Sequence, residues 1–287
     1  MRAGAVTLQL VVALPTIAHA SGHSPVYGLA TPTLGRGGWS LDVAAMARFA
    51  GASGDLERRQ AMLRGMLGYG VTEDVQLSIS VPVPLEKPGP DVPPARVMAM
   101  MPGQPDIEAL LAWRFHRVGH DVGSRIESTA LFGLDTPTDS RRAGLQTSPA
   151  LLAGAVTGYA SRSIYAWLGA LYRRSTVGSD GNEERTGDLL LFSLVVGYRP
   201  LRFRQELPHP DWRIFLETVG ESTRDARAAG RQIDASGGHE LFVGPTLLGL
   251  YGAWGISGGP LFPVASDPPD GRRGDRARFV VNYTRWF

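Results

Sequence analysis

Few residues in this sequence are of types and spacing that could perform catalysis. Ser236, His239 and Glu240 place a hydroxyl, an imidazole and a carboxylate close together along the chain, the groups that nucleophilic hydrolysis needs. Neighbouring residues of a strand point to opposite faces, however, and no nucleophile motif stands between a predicted strand and a predicted helix. We therefore expect no catalytic residues and no enzyme, and keep a hydrolase as an alternative.

The histidines raise a second possibility, a metal site. His116 and His120 have the four-residue spacing of a zinc pair on a helix, but they flank a predicted turn. On a strand, residues four apart lie roughly 13 Å from each other. His23, His209 and His239 are isolated in the sequence. We expect no metal site and no cofactor.

Charged residues recur at the polar positions of segments in which polar and apolar residues alternate. If these segments are strands of a closed barrel, such side chains point into its lumen, where they must pair because an isolated buried charge is costly. The sequence thus predicts a charged lumen that either selects solutes or is filled by ion pairs. The ten residues are Asp42, Arg48, Arg64, Glu108, Arg114, Arg125, Glu127, Arg213, Glu217 and Arg278.

The alternating segments have the length of membrane-crossing strands. Between Trp39 and Phe49 every second residue is apolar, and Ser40, Asp42 and Arg48 lie between them. With this one there are about twelve such segments, each of ~10 residues, whereas a tilted strand needs ~9–11 residues to cross a bilayer and soluble strands average ~5–6. We predict an all-β fold, an antiparallel transmembrane β-barrel of about 12 strands.

The links between these segments alternate between long and short, as the two ends of outer-membrane barrels do. Short links lie near residues 70–74, 116–121, 160–161 and 249–252, and long ones near 51–58, 84–105, 135–147, 175–187, 222–237 and 264–274. The link 199–210 is the exception, because it should be short. The link 84–105 contains Met98, Met100 and Met101, which form either a solvated loop or a constriction that contacts a ligand.

The first residues are typical of an export signal. Arg2 precedes an apolar stretch from Ala5 to Ile17, and Ala18-His19-Ala20 is a small-x-small cleavage site. We assign residues 1–20 to a signal peptide, 21–37 to a periplasmic N-terminal segment and 38–287 to the barrel. An uncleaved anchor is the alternative for the first residues.

Composition excludes two further classes. The 287 residues include no cysteine, which excludes disulfides and thiolate metal sites. The formal net charge is +2, and no basic run is interleaved with aromatic residues, so no nucleic-acid surface is expected.

The C-terminal strand resembles the recognition strand of bacterial outer-membrane proteins. Phe279, Val281, Tyr283 and Phe287 share one face, and a phenylalanine closes the chain. The resemblance implies a barrel-assembly signal in these four residues, with the barrel-assembly machinery and outer-membrane lipids as partners.

Several turns and strands also resemble a known family. The resemblance is to outer-membrane proteins of the meta-pathway of phenol degradation and to related transporter-like barrels, some of them encoded beside heavy-metal efflux systems. It implies a channel for small molecules, with aromatic compounds or a link to metal efflux as options. The segments are 68–74, 77–82, 133–137, 197–200, 236–239 and the terminal strand.

The sequence therefore predicts an exported barrel in the outer membrane of a Gram-negative bacterium. The expected function is passive passage of small molecules, with an unknown solute. A plugged structural or binding barrel and an enzyme at the barrel rim are the two alternatives.

Overall fold

The computed structural model describes the strands of a barrel and the turns at one end of it more fully than the loops at the opposite end. The described residues are 24–50, 58–85, 106–121, 123–136, 149–176, 187–203, 209–228, 231–232, 234, 237–267 and 275–287. The proposed signal peptide, His23, Ser236 and the three methionines of the link 84–105 lie outside them.

Twelve of the strands close into one antiparallel barrel, which confirms the predicted fold class. Neighbours in sequence pair with each other, β9 pairs with β12, and β1 pairs with β14 to complete the ring. The barrel strands are β1 Trp39–Ala50, β2 Arg58–Gly70, β3 Val75–Pro84, β4 Ile107–Asp121, β5 Ser124–Thr136, β6 Ala150–Ala160, β7 Ile164–Ser175, β8 Leu189–Tyr198, β9 Asp211–Thr223, β12 Gly238–Tyr251, β13 Trp254–Asp267 and β14 Asp275–Trp286.

Two smaller elements lie in the links. The two-residue strands β10 (Arg227–Ala228) and β11 (Arg231–Gln232) pair with each other between β9 and β12. A 3₁₀ turn at Leu201–Phe203 lies in the link between β8 and β9. No helix among the described residues is long and apolar enough to cross a membrane.

One predicted boundary was wrong. The link at 116–121 is part of β4, which continues to Asp121 after a register shift between Arg114 and His116. β5 begins at Ser124, and Gly123 just before it has φ +87, a conformation that disfavours a side chain. His116 therefore lies within a strand and not beside a turn.

The two ends of the barrel differ in their connections. We call the end with links 71–74, 122–123, 161–163, 199–210 and 252–253 the turn end, and the opposite end the loop end. Gly252, at φ +60, makes the same kind of tight connection between β12 and β13. The predicted alternation of short and long links is present, and 199–210 is the long member of the turn end.

The outward face is apolar along the whole ring. Large exposed side chains such as Leu168, Phe192 and Ile256 project from it, as in a barrel surrounded by hydrocarbon. Aromatic pairs lie at the turn end, with ring centroids 4.5 Å apart for Trp39–Tyr69 and 5.4 Å apart for Tyr251–Trp254. This is an aromatic girdle at one interface.

The inward face is more apolar than the sequence predicted. Between the charged groups, two buried apolar clusters line the lumen wall, one around Met62 and Phe242 and the other around Trp167 and Phe215. The difference arises because β8 is apolar on both faces, so that Leu191 and Val195 point inward although polar residues were expected there.

Candidate functional site in the lumen

The lumen contains the chain that precedes the first strand. We call residues 24–38 the inner segment. Its atoms contact inward-facing side chains of at least four strands, and Tyr27 and Thr31 are buried. The assignment of residues 21–37 to a periplasmic segment stays a prediction, and the described residues that make these contacts lie inside the ring of strands.

Glu217, on β9, holds the middle of this segment. Its Oε1 accepts the N–H of Val26 at 2.8 Å, and its Oε2 accepts the N–H groups of Tyr27 and Gly28 at 2.8 and 2.7 Å. Thr246 Oγ1 donates a fourth hydrogen bond at 2.5 Å. Hydrogen bonds to a charged acceptor are the strong ones, so a carboxylate with 0% exposure is satisfied here without a cation.

Thr31 fixes the next part of the inner segment. The backbone carbonyl of Thr31 accepts a hydrogen bond from Thr129 Oγ1 at 2.8 Å, and its hydroxyl donates to Glu127 Oε2 at 3.3 Å. Trp167 Nε1 donates to the same hydroxyl at 3.2 Å. Three side chains from two strands, β5 and β7, therefore hold one threonine.

Ser193 and Gln76 hold the residues on either side of Thr31. The N–H of Leu29 donates to Ser193 Oγ at 3.0 Å, and the N–H of Leu34 donates to Gln76 Oε1 at 2.8 Å. Every contact of the segment described above is non-covalent.

An ion-pair cluster around Arg278 fills the loop end on one side. Arg278 contacts Glu221 at 2.7 Å, Asp275 at 2.5 Å and Glu240 at 3.2 Å, and its guanidinium carbon lies 3.9 Å from the centroid of the Phe242 ring. Arg48 pairs with Asp275 as well.

A second cluster lies across the lumen. Arg173 contacts Asp106 at 2.9 Å and Asp135 at 2.8 Å. At mid-height Arg64 contacts Glu108 at 3.2 Å and donates to Ser80 Oγ at 2.8 Å.

Arginines predominate at the turn end. Glu127 accepts from Arg114 at 3.2 Å and lies 3.0 Å from Arg125 and 3.9 Å from Arg117. Two further groups complete this end: Asp74 pairs with Arg114 at 2.9 Å, and Asp211 pairs with Arg199 and Arg213 at 2.7 Å each.

These ion pairs leave opposite charges at the two ends. In the loop-end clusters Arg48, Arg173 and Arg278 face the five carboxylates Asp106, Asp135, Glu221, Glu240 and Asp275. In the turn-end clusters the five arginines Arg114, Arg117, Arg125, Arg199 and Arg213 face Asp74, Glu127 and Asp211. Among these described ion pairs, carboxylates therefore outnumber arginines toward the loops, and arginines outnumber carboxylates toward the turns.

The ten predicted lumen residues all take part in this interior. Eight of them form the ion pairs above, whereas Asp42 and Glu217 are bound by neutral donors. That they line a solute path stays a prediction. Sequence reasoning missed Arg173, Glu221 and Asp275. Arg173 lies an even number of residues from Tyr165 and Trp167, so it shares the inward face of β7 with them. This spacing was the signal in the sequence that could have identified it.

A cavity of about 230 Å³ remains between the inner segment and the wall formed by β1, β2 and β14. Asp42, Arg64 and Trp286 contribute to its lining, together with Val26 and Leu34 of the inner segment. The opposite wall, from β5 to β9, is filled by the Trp167–Phe215 cluster. This cavity thus lies on one side of the lumen, opposite the Trp167–Phe215 cluster.

The residues weighed for catalysis and metal binding do not form a site among the described residues. His239 is exposed, and its neighbour Glu240 points the other way to Arg278. In the described part of the chain no three His, Asp, Glu or Cys side chains are placed to hold a metal ion. The proposed assembly residues Phe279, Val281, Tyr283 and Phe287 are all exposed, and their role stays a prediction.

A closed antiparallel ring with an apolar exterior and a charged interior defines the class: a transmembrane β-barrel of the outer-membrane type. The COG4313 outer membrane channel from Pseudomonas putida F1 has the same fold, with a TM-score of 0.65 and 11% sequence identity over 92% of this chain and 100% of that chain. The NanC porin gives a TM-score of 0.50 and 9% identity over 85% of this chain and 98% of that chain. The sequence matches no protein-family profile and no curated protein.

Proposed function

We propose that this protein is an outer-membrane channel for small solutes, closed in this structure by its own inner segment. The observation that carries the proposal is the way the segment is held. Glu217 binds three consecutive backbone N–H groups of a stretch that belongs to no strand of the barrel. The stretch is therefore able to leave without breaking any strand-to-strand hydrogen bond.

The proposal places the turn end in the periplasm and the loop end outside the cell of a Gram-negative bacterium. Short periplasmic turns and long outer loops are the usual arrangement in such barrels. The similar fold of two proteins named as a channel and a porin supports this placement.

We further propose that the solute has an apolar body, such as an aromatic ring. Once the inner segment moves, the side chains it now covers, among them Met62, Val195 and Phe242, would line the path. Apolar walls favour molecules that gain by leaving water. A strongly hydrated ion would gain nothing from contact with these side chains.

Planar-bilayer recording of the full mature chain and of Glu217→Gln tests the channel. An amide at this position has one acceptor oxygen for four donors, and losing such bonds costs about 3 kcal/mol, so the open fraction should rise about 100-fold. Glu240→Gln is the matched control, because Glu240 lies at the loop end and its hydrogen bonds and ion pair are with Ser266, Asp275 and Arg278.

The competing interpretation is a structural barrel with a permanent plug. Correctly folded Glu217→Gln protein that remains silent under all voltages would favour it. Conductance that rises equally in Glu217→Gln and Glu240→Gln would contradict the assigned role of Glu217.

A further inference from the structure

The cavity beside β1, β2 and β14 has one carboxylate in its described lining, Asp42, whose nearby cation Arg64 is shared with Glu108. Asp42 and Arg64 are its charged lining residues among those described. Arg64 is occupied by Glu108 at 3.2 Å and by Ser80 at 2.8 Å, so its positive charge already has a counter-ion.

Asp42 has no such counter-ion among its contacts. Its Oδ1 accepts hydrogen bonds from Thr284 Oγ1 and from Asn282 Nδ2, the second at 3.2 Å. Both donors are neutral, so they stabilise the carboxylate without cancelling its charge. A carboxylate at the wall of a cavity, held by neutral groups only, attracts cations.

The rest of the lining fits an organic cation better than a metal ion. Met46 and Met66 offer polarisable thioethers, and Trp286 adds an indole, the aromatic group that binds cations best. Besides Asp42, the described lining has no second carboxylate, whereas Ca²⁺ and Mg²⁺ sites need six or more oxygen ligands in ordered geometry.

The size of the cavity sets the size of the ligand. At about 230 Å³ it is smaller than the ~300–1,000 Å³ pockets that bury drug-sized molecules. It suits a molecule with one ring or a short chain.

We propose that this cavity is a binding site for small organic cations with an apolar body, with Asp42 as their counter-ion. The site deepens the proposed function and rests on it, because the ligand is taken to be a solute that the channel carries. The ammonium group would contact Asp42, and the apolar body would lie against Met46, Met66 and Trp286.

Calorimetric titration of the folded, full mature chain in detergent at pH 7 tests the ligand class. The probes are benzylammonium, neutral benzyl alcohol and anionic benzoate, which share one ring. We expect one benzylammonium to bind per chain and the other two to bind at least tenfold more weakly. Equal binding of the three probes, or no binding of benzylammonium, overturns the proposal.

Three variants test the site itself. Asp42→Asn should weaken benzylammonium binding at least tenfold, and Ser257→Leu, which fills the cavity and leaves Asp42 in place, should abolish it. Glu240→Gln, a carboxylate-to-amide change at the loop end, should leave binding unchanged. Heat-modifiable electrophoretic mobility confirms that each variant is folded, and Ser257→Leu decides the matter if Asp42→Asn does not fold.

The outcomes separate this inference from the channel itself. Benzylammonium binding that depends on Asp42, in a protein whose Glu217→Gln variant never conducts, keeps the site and removes the transport function. Conductance without cation-selective binding keeps the channel and removes the site.

Discussion

The backbone N–H of Gly28 and the carboxylate of Glu217, 189 residues apart, form a 2.7 Å hydrogen bond in the middle of the lumen. At the same point the chain passes so close to β8 that a Cβ on Gly28 would lie 2.3 Å from Val195 Cγ2. The close approach to Val195 depends on the absence of a side chain at residue 28. The closed state therefore depends on one glycine as well as on one carboxylate.

Gly28→Val should displace the inner segment and leave the barrel intact. Crowding of this kind costs about 1–3 kcal/mol, which predicts an open fraction roughly 5- to 150-fold higher in bilayer recordings. Gly65→Val is the control, because a Cβ there meets no atom within 4 Å. If the open fraction of Gly28→Val is no higher than that of the unsubstituted protein, the inner segment does not block the path.

Arg278→Met should destabilise the folded barrel. The substitution leaves Glu221, Asp275 and Glu240 without their shared cation, and breaking a buried ion pair in this way costs about 3–5 kcal/mol. Urea unfolding in detergent or lipid measures the change in free energy. Arg174→Met, at an exposed position of β7, should change it by less than about 0.5 kcal/mol. Equal effects of the two variants would contradict the structural role of the Arg278 cluster.

Leu168→Arg should destabilise the protein because residue 168 faces the hydrocarbon of the membrane. Leu168 is 58% exposed on the outward face of β7, away from both strand ends, so an arginine there costs about 2–4 kcal/mol in a bilayer. Ile164→Arg, on the same face at the turn end, should cost only about 0–1 kcal/mol. Unfolding measured in lipid vesicles compares the two. An Ile164→Arg variant at least as unstable as Leu168→Arg would mean that the membrane does not lie across the middle of this strand.

The opposite charges at the two ends should make an open pore rectify ionic current. Ions accumulate in such a pore under one voltage polarity and are depleted under the other, so currents in Glu217→Gln at 0.1 M salt should differ on the order of two-fold between polarities. Adding Arg117→Gln and Arg125→Gln neutralises the turn end and should bring the ratio toward one. At 1 M salt the Debye length is ~3 Å, and the ratio should fall in both proteins. Rectification that persists in 1 M salt would have another cause.

The barrel was predictable because apolar and polar residues alternate along its strands. Alternation from Trp39 to Phe49 recurs around the ring, and strand length and link length supported the same conclusion. The end of β4 was misplaced because the register shift after Arg114 interrupts the alternation. Local pattern therefore predicts a strand well and a bulge poorly.

The inner segment was not predictable in the same way. Residues 24–38 have no period of two, and their partners, such as Glu217 and Ser193, lie more than 160 residues away in the chain. The apolar inner wall was missed for a related reason. β8 is apolar on both faces, so alternation could not show that Leu191 and Val195 point inward. A strand with large apolar residues on both faces indicates that its inner face is also covered, and that was the available clue.

The junction of the first and last strands has a consequence for how the protein is built. Trp39 and Phe287 exchange backbone hydrogen bonds of 3.2 and 3.0 Å where β1 meets β14, and the inner segment runs directly into β1. Residues 24–38 leave the ribosome before every strand, yet Glu127, Ser193 and Glu217 are synthesised long after them. The segment thus waits for partners that are made later, and it can be held in the lumen only after β5, β8 and β9 have formed. Binding of the segment in the lumen therefore follows the formation of the strands that hold it.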